Sequence, residues 1–193
     1  MATAKKQARG AAEKIVEADL AVAEAFAPHE ETFAVRAVTA VAKLGDQPPL
    51  RMLCGLVIAA GLLRGDARLA RTGVRALAAH SAATMAKDVI KRRIDRTRPF
   101  AAVKGKGGHK PRKGRHESKE KTSFPSGHSA GAAAVAAAFA RDYPNHKAAA
   151  LGAGALLALA QIPRCSHYPT DVGGGVALGL AAEALTSRLL LRQ

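Results

Sequence analysis

The sequence predicts an all-α fold, a helical bundle whose functional site is assembled at one end. Three observations predict it. Apolar residues recur at helical spacing through most of the 193 residues, and no segment shows the alternation of a half-buried strand. Glycines, prolines and polar clusters cut that pattern into pieces of helix length. The three clusters of chemically versatile side chains fall at helix ends: the first ends a helix, the second starts one and the third joins two. An up-and-down arrangement puts all three at the same end. The length itself suits one domain, spanning 1–193, with a real core.

Residues 1–10 are polar and basic (Lys5, Lys6, Arg9) and are expected to fray. No apolar run follows them, so no cleaved secretory signal is expected. Ile15, Ala18, Val22 and Phe26 then recur at helical spacing and predict an amphipathic N-terminal helix within 1–27, ending before Pro28. It reads as a packing helix in preference to a membrane-surface anchor. Phe33 to Leu44 predicts a second helix, stopped by Gly45-Asp46, and Asp46 with Pro48 and Pro49 opens the next. Met52 to Leu63 is an uncharged apolar run between Arg51 and Arg64. After Gly65-Asp66 a long helix is predicted from Ala67 to Arg96, with His80 as a packed or surface residue.

Composition changes completely at 101–121. Lys104, Lys106, Lys110, Arg112, Lys113, Arg115, Lys119 and Lys121 crowd among glycines, with Glu117 and Glu120 as the acids. This predicts a mobile basic loop, either simply solvated or acting as an electrostatic funnel for an anionic substrate. His109 and His116 within it are weak metal ligands. Three apolar helices follow, Ser129 to Arg141, Lys147 to Gln161 and Asp171 to Leu191, with Tyr143-Pro144-Asn145 as the turn between the first two. Gly173-Gly174-Gly175 predicts close helix approach.

The net charge of +15 and pI near 10.5 call for an anionic partner: a phosphate ligand, an acidic lipid surface or nucleic acid. Aromatics are only 4% with no tryptophan, poor material for stacking bases, so nucleic acid ranks last. Cys54 and Cys165 are far apart and fit neither a disulfide framework nor a metal-ligand spacing.

The chemistry concentrates in three blocks. Lys91-Arg92-Arg93-Ile94-Asp95-Arg96-Thr97-Arg98-Pro99 places Lys91 and Arg98 on one face if the helix continues to the proline. In Pro125-Ser126-Gly127-His128 a small turn opens a helix, whose free N–H groups and dipole suit an anion beside His128. An ordinary helix start with an incidental histidine is the alternative for that tetrapeptide alone. In Arg164-Cys165-Ser166-His167-Tyr168-Pro169-Thr170-Asp171 an aspartate follows a histidine by four residues, a spacing that lets a carboxylate orient an imidazole. Arg92, Arg93 and Arg96 read as a solvated basic face. Cations, an anion-binding helix start, two histidines and a carboxylate form a set for phosphoryl transfer without metal or other cofactor.

These blocks resemble the type 2 phosphatidic acid phosphatase (PAP2) family, which includes bacterial acid phosphatases and vanadium haloperoxidases. The family pattern is Lys, six residues, Arg-Pro; then Pro-Ser-Gly-His; then Ser-Arg, five residues, His, three residues, Asp. Lys91 to Pro99, Pro125 to His128 and His167 to Asp171 match it. The start of the third block departs: Ala160-Gln161 stands where Ser-Arg is expected, and Arg164 is the nearest guanidinium. The motif-bearing core spans 91–171, and the likeness extends to roughly 37–191.

The resemblance implies a phosphatase in which His167 attacks phosphorus, Asp171 steadies His167, and His128 serves as general acid and then base. It further implies that Lys91, Arg98, the Ser126-Gly127 turn and Arg164 hold the phosphoryl oxygens, and that the substrate is a phosphate monoester or diphosphate, of a lipid such as phosphatidate or a polyprenyl diphosphate, at a membrane. Hydropathy argues the other way. The uncharged stretches Ser129–Ala140 and Ala148–Gln161 fall short of the ~18–20 residues of a spanning helix, and mean hydropathy is −0.03. Met52–Leu63 and Asp171–Leu191 can span if their charged ends snorkel. Lysine and arginine gather at the site end, which favours a cytoplasmic site, whereas the family commonly places it outside, and both sides stay open. The rivals are a non-catalytic basic protein that binds acidic lipid or nucleic acid through 101–121, and a vanadate-dependent oxidase. The first explains the charge but not His167 and Asp171; the second class is usually much larger.

Overall fold

The computed structural model describes residues 2–105, 109–114 and 118–190. Of the basic stretch, Lys106, Arg115, His116 and Glu117 lie outside the described residues, as does Leu191 at the expected end of the last helix. Eight α-helices are described: α1 (Ala2–Phe26), α2 (Phe33–Ala42), α3 (Gln47–Leu63), α4 (Ala67–Lys91), α5 (Pro99–Ala102), α6 (Gly127–Asp142), α7 (Lys147–Leu159) and α8 (Pro169–Leu190). The all-α expectation holds. The one sheet among the described residues is a two-residue antiparallel ladder in which β1 (Ile94–Asp95) pairs with β2 (Arg112–Lys113).

Helix α6 is the axis. It packs against α4, α7 and α8, with α3 behind α4. Ser129 through Ala136 are all buried on it, as are Ala138 and Ala140. A helix buried all round has no polar face to offer, and alanine lets its neighbours approach closely on every side. Ala79 and Ala83 of α4 meet Ala130 and Ala134 of α6 and Ala182 of α8. Two glycines of α8 are needed for that approach. A Cβ on Gly175 would lie 2.4 Å from the Ser126 carbonyl, and one on Gly179 would lie 2.3 Å from the Ala130 carbonyl. Of the expected glycine run, Gly174 and Gly175 are in close contact, whereas nothing lies within 4 Å of a Cβ on Gly173.

Large apolar side chains point the other way. Leu63 is 89% exposed, Met85 71%, and Leu62 and Leu156 70% each. Small side chains fill much of the interior, with Leu50 and Tyr168 among the larger buried ones, and many of the large apolar side chains lie outside.

Three sequence expectations are corrected. Helix α4 ends at Lys91, not Arg96. Beyond it the backbone extends: Arg96 N–H bonds to the Lys121 carbonyl (2.8 Å), Arg98 N–H to Glu120 (2.7 Å), and Ser123 N–H to the Arg96 carbonyl (3.0 Å). Lys91 and Arg98 therefore do not share a helical face. Second, the described part of 101–121 is not one open loop, since it holds a turn of α5, the β2 pairing and a 3-10 turn at Lys119–Lys121. Third, α1 extends back to Ala2 through residues expected to fray, and its inward face is not the predicted stripe. Ile15 is 53% and Phe26 36% exposed, whereas Asp19 and Ala23 are buried. The rotation of α1 follows the ion pair of Asp19, described below.

The two kinds of glycine make a stability test. Gly179→Ala forces the α6–α8 backbones apart and should cost about 1–3 kcal/mol, as overpacking does. Gly173→Ala, with open space around its Cβ, should gain about 0.5–1 kcal/mol from helix propensity. Chemical denaturation followed by helical circular dichroism measures both.

Candidate functional site

The site is built where α6 begins. Ser126 takes the N-cap position, and its Oγ accepts from Ser129 N–H (3.3 Å) and from the Ser129 hydroxyl (2.8 Å). The Ser126 N–H donates to the Asp171 carbonyl (3.0 Å), tying the start of α6 to the start of α8. Gly127 follows because a Cβ there would stand 2.8 Å from Cδ of Lys87. The stem of Lys87 lies along that turn.

In front of the turn is a cavity of about 160 Å³. Gly127, His128, Lys91, Arg98 and His167 line it, so five residues from the three sequence blocks converge. Gly45, Gln47 and Lys87 complete the wall, and the sequence reading did not assign them. Lys87 could have been found: it stands one turn before Lys91 on the same face of α4. It is paired with Asp88 at 2.5 Å. Ser126 is fully buried behind the wall, and its hydroxyl serves as a cap, not as a surface for a ligand. Asp171 is also fully buried, behind His167.

Arg96 is the main residue that the sequence reading misplaced. It is 2% exposed, not a solvated basic residue like its exposed neighbours Arg92 and Arg93. Its Nη1 donates to Asp171 Oδ1 (2.6 Å) and Thr170 Oγ1 (2.8 Å), its Nη2 to Asp19 Oδ2 (2.6 Å), and its Nε to the His109 carbonyl (3.0 Å). The guanidinium also lies over the Tyr168 ring, 4.1 Å from its centroid. Asp19 in turn accepts from the N–H of Thr170 (3.1 Å) and from its hydroxyl. Two carboxylates satisfy one guanidinium, which is why a cation tolerates this depth.

Asp171 Oδ2 accepts from the Ser123 hydroxyl (2.5 Å) and the Tyr168 N–H (3.0 Å). His167 Nδ1 is 3.8 Å from the same oxygen, an ion-pair separation beyond hydrogen-bond length. Burial raises the Asp171 pKa, but His167, Arg96 and Ser123 beside it outweigh that and hold it below the usual carboxylate range. His167 is pushed down to about 4, chiefly by burial and also by Arg98 and Lys91, against the pull of Asp171. At neutral pH its ring is uncharged and keeps a lone pair for a nucleophilic step. Lys91 is lowered to about 7, by burial first and then by Arg98 and Lys87. Its Nζ donates to the Thr122 carbonyl (2.7 Å).

The departure in the third block has a structural account. Gln161 is fully buried; its Nε2 donates to the Leu157 carbonyl and its Oε1 accepts from Arg164 Nη1, both at 3.3 Å. Its own carbonyl accepts from the N–H groups of Ser166 (3.2 Å) and His167 (3.3 Å). Gln161 thus anchors the loop that carries both Arg164 and His167. Cys165, between them, adopts φ 47°, a left-handed conformation that only a tightly held loop imposes on a side chain other than glycine. Arg164 lies close enough to lower the pKa of His128 and of Arg98, so its charge bears on the cavity.

The family model of the PAP2 superfamily matches residues 72–193. The chain belongs to the PAP2 superfamily. Curated relatives named lipid A 1-phosphatase, from Rhizobium johnstonii and Rhizobium etli, are each 37% identical over 70 residues. That stretch is 36% of this chain but only 29% and 30% of theirs. Among solved structures, a transmembrane PAP2 type phosphatidylglycerolphosphate phosphatase from Bacillus subtilis superposes with a TM-score of 0.66. The match covers 91% of this chain and 86% of that one at 23% identity, a likeness of fold. Helices α1 and α3, which bring Asp19 and Gln47 to the candidate site, precede the matched residues.

The Lys91 shift gives a binding test free of turnover. Lys91 is charged below about 7 and neutral above, so affinity for sulfate, whose own charge is constant there, should weaken as pH rises through 7. Lys91→Arg stays charged and should flatten that decline. Calorimetric titration with sulfate at several pH values reads both.

Proposed function

We propose that the protein is a metal-independent phosphatase that hydrolyses a phosphate monoester or diphosphate of a lipid through a phosphohistidine intermediate. The observation that carries this reading is the uncharged, buried His167 on the same 160 Å³ cavity as Lys91, Arg98 and His128. Nδ1 faces Asp171, which leaves Nε2 to attack phosphorus. As the P–N bond forms, the ester P–O bond breaks, and the proton of His128 goes to the departing oxygen. His128 then takes a proton from water, whose oxygen attacks phosphorus, breaks the P–N bond and frees His167. Lys91, Arg98 and Arg164 offset the charge that grows on the phosphoryl oxygens. Among the described residues no group of three or more His, Cys, Asp or Glu could hold a metal ion.

A lipid substrate is supported by the activities for which the relatives are named and by the surface. An apolar groove of about 340 Å³ runs between α3, α6 and α7, lined by Leu50, Leu53, Val135, Phe139, Ala153 and Leu157 among others. It begins near Leu50 and Ala132, one helical turn beyond Gln47 and His128 of the cavity wall. A phosphate in the cavity would place an attached chain at the head of that groove. No described helix is long and apolar enough to cross a membrane. The outward leucines nevertheless favour an apolar neighbour, and we infer that the protein acts at a membrane.

His167→Ala should abolish turnover of phosphatidate and of a short phosphomonoester, and with it the acid-labile phosphate trapped by rapid quench. Activity should survive EDTA and fall with vanadate, which adopts the five-coordinate geometry of the transition state. Undiminished hydrolysis by the His167 variant, or EDTA loss restored by magnesium, would sink the proposal.

Arg164→Ala should cost on the order of 2–4 kcal/mol, roughly 30- to 1000-fold in kcat/KM. Arg164→Lys should recover part of it, because an ammonium lacks the planar fork. Gln161→Ala should cost less, since Gln161 is uncharged and acts only by holding Arg164 and the loop. A silent Arg164→Ala beside a damaging Gln161→Ala would reverse the assignment.

A further inference from the structure

Asp46 stands at the N-cap position of α3, with the extended backbone usual there (φ −65°, ψ 154°), yet its side chain caps nothing. A capping aspartate ordinarily stabilises the start of its helix. Here the carboxylate turns instead to the first turn of α6 and contacts Nε2 of His128. The neighbours of Asp46, Gly45 and Gln47, both line the cavity, so the contact is made at its rim. Nδ1 of His128 has no hydrogen-bond partner among the described residues.

We propose that Asp46 is a positioning residue for His128: its carboxylate accepts the Nε2 proton and leaves Nδ1 as the ring atom that exchanges a proton with the leaving group. This rests on the phosphohistidine reading above and adds to it a second carboxylate–imidazole pair. The two pairs have opposite tasks. His167 must be neutral to attack, and its carboxylate is shared with Arg96, Ser123 and a backbone N–H. His128 must give a proton to the leaving group, while burial first, and Arg164 and Arg98 beside it, hold its pKa below the ordinary value against the pull of Asp46. The charged groups facing it are otherwise cationic: Lys87 and Lys91 from α4, Arg98 ahead of α5, and Arg164 from the loop before α8, with Asp88 already taken by Lys87. Asp46 is the carboxylate set against them. In the first half-reaction the Nδ1 proton passes to the ester oxygen as the P–O bond breaks, and the Nε2–H stays on the ring, donated to Asp46. In the second, Nδ1 accepts a proton from the attacking water.

General-acid help matters for a poor leaving group and little for a good one, which separates this role from a structural one. Asp46→Asn should lower kcat/KM for an alkyl phosphate roughly 10- to 100-fold. For p-nitrophenyl phosphate, whose leaving group needs no proton, the rate should hold within about threefold. Asp46→Glu should recover part of the alkyl rate. In a His128→Ala background Asp46→Asn should add nothing, since the two residues act as a unit. At a pH where the His128 ring is neutral, its ¹⁵N shifts should report the Nε2–H tautomer in the wild type and its loss in Asp46→Asn. Equal losses on both substrates, additive losses in the cycle, or an unchanged tautomer would overturn the assignment. A His167→Ala enzyme that turns over alkyl esters at the wild-type rate would instead overturn the phosphohistidine reading, and this pair with it.

Discussion

The guanidinium of Arg96, buried between Asp19 and Asp171, is the interaction on which the rest of the site depends. A buried cation without partners would cost several kcal/mol, and each carboxylate beside it would carry a similar penalty alone. Together they satisfy one another, with Thr170, the His109 carbonyl and the face of Tyr168 taking the remaining directions. Three features follow. Helix α1 turns Asp19 inward and leaves Ile15 outside; the chain after Lys91 leaves the helix so that Arg96 can point down; and Asp171 is fixed behind His167. The N-terminal helix is therefore part of the foundation of the site and not a separate appendage.

A second constraint is the alanine axis. Surrounding α6 with close neighbours leaves little room inside for large side chains, so many of the large apolar side chains of α3, α4 and α7 face outward. In water such a surface is a liability. Against lipid it costs nothing, and helices that meet through small residues are held by contact instead of by expulsion of water. The packing and the proposed membrane setting are thus one argument.

The cavity sets charge against burial. Lys87, Lys91 and Arg98 on its wall and Arg164 nearby make it attractive to an anion, while the same burial and the same cations keep His167 uncharged. A nucleophile that stays neutral inside a cationic pocket needs its carboxylate at a distance, and Asp171 at 3.8 Å meets that condition.

The sequence by itself determined the helices, the three blocks at their ends, and the convergence of Lys91, Arg98, His128 and His167, because helical periodicity and motif spacing are local properties. It also marked Gln161 as a departure. What it did not determine was which charges are inside. Arg96 looked like Arg92 and Arg93 because three arginines in one basic run have the same local chemistry. Asp46 looked like a helix cap because it occupies a cap position. Only the tertiary structure decided these, since the partners of Arg96 come from residues 19 and 171 and the partner of Asp46 from residue 128. Burial and pairing of a charge depend on distant chain segments meeting, and no window of sequence contains both ends of such a contact.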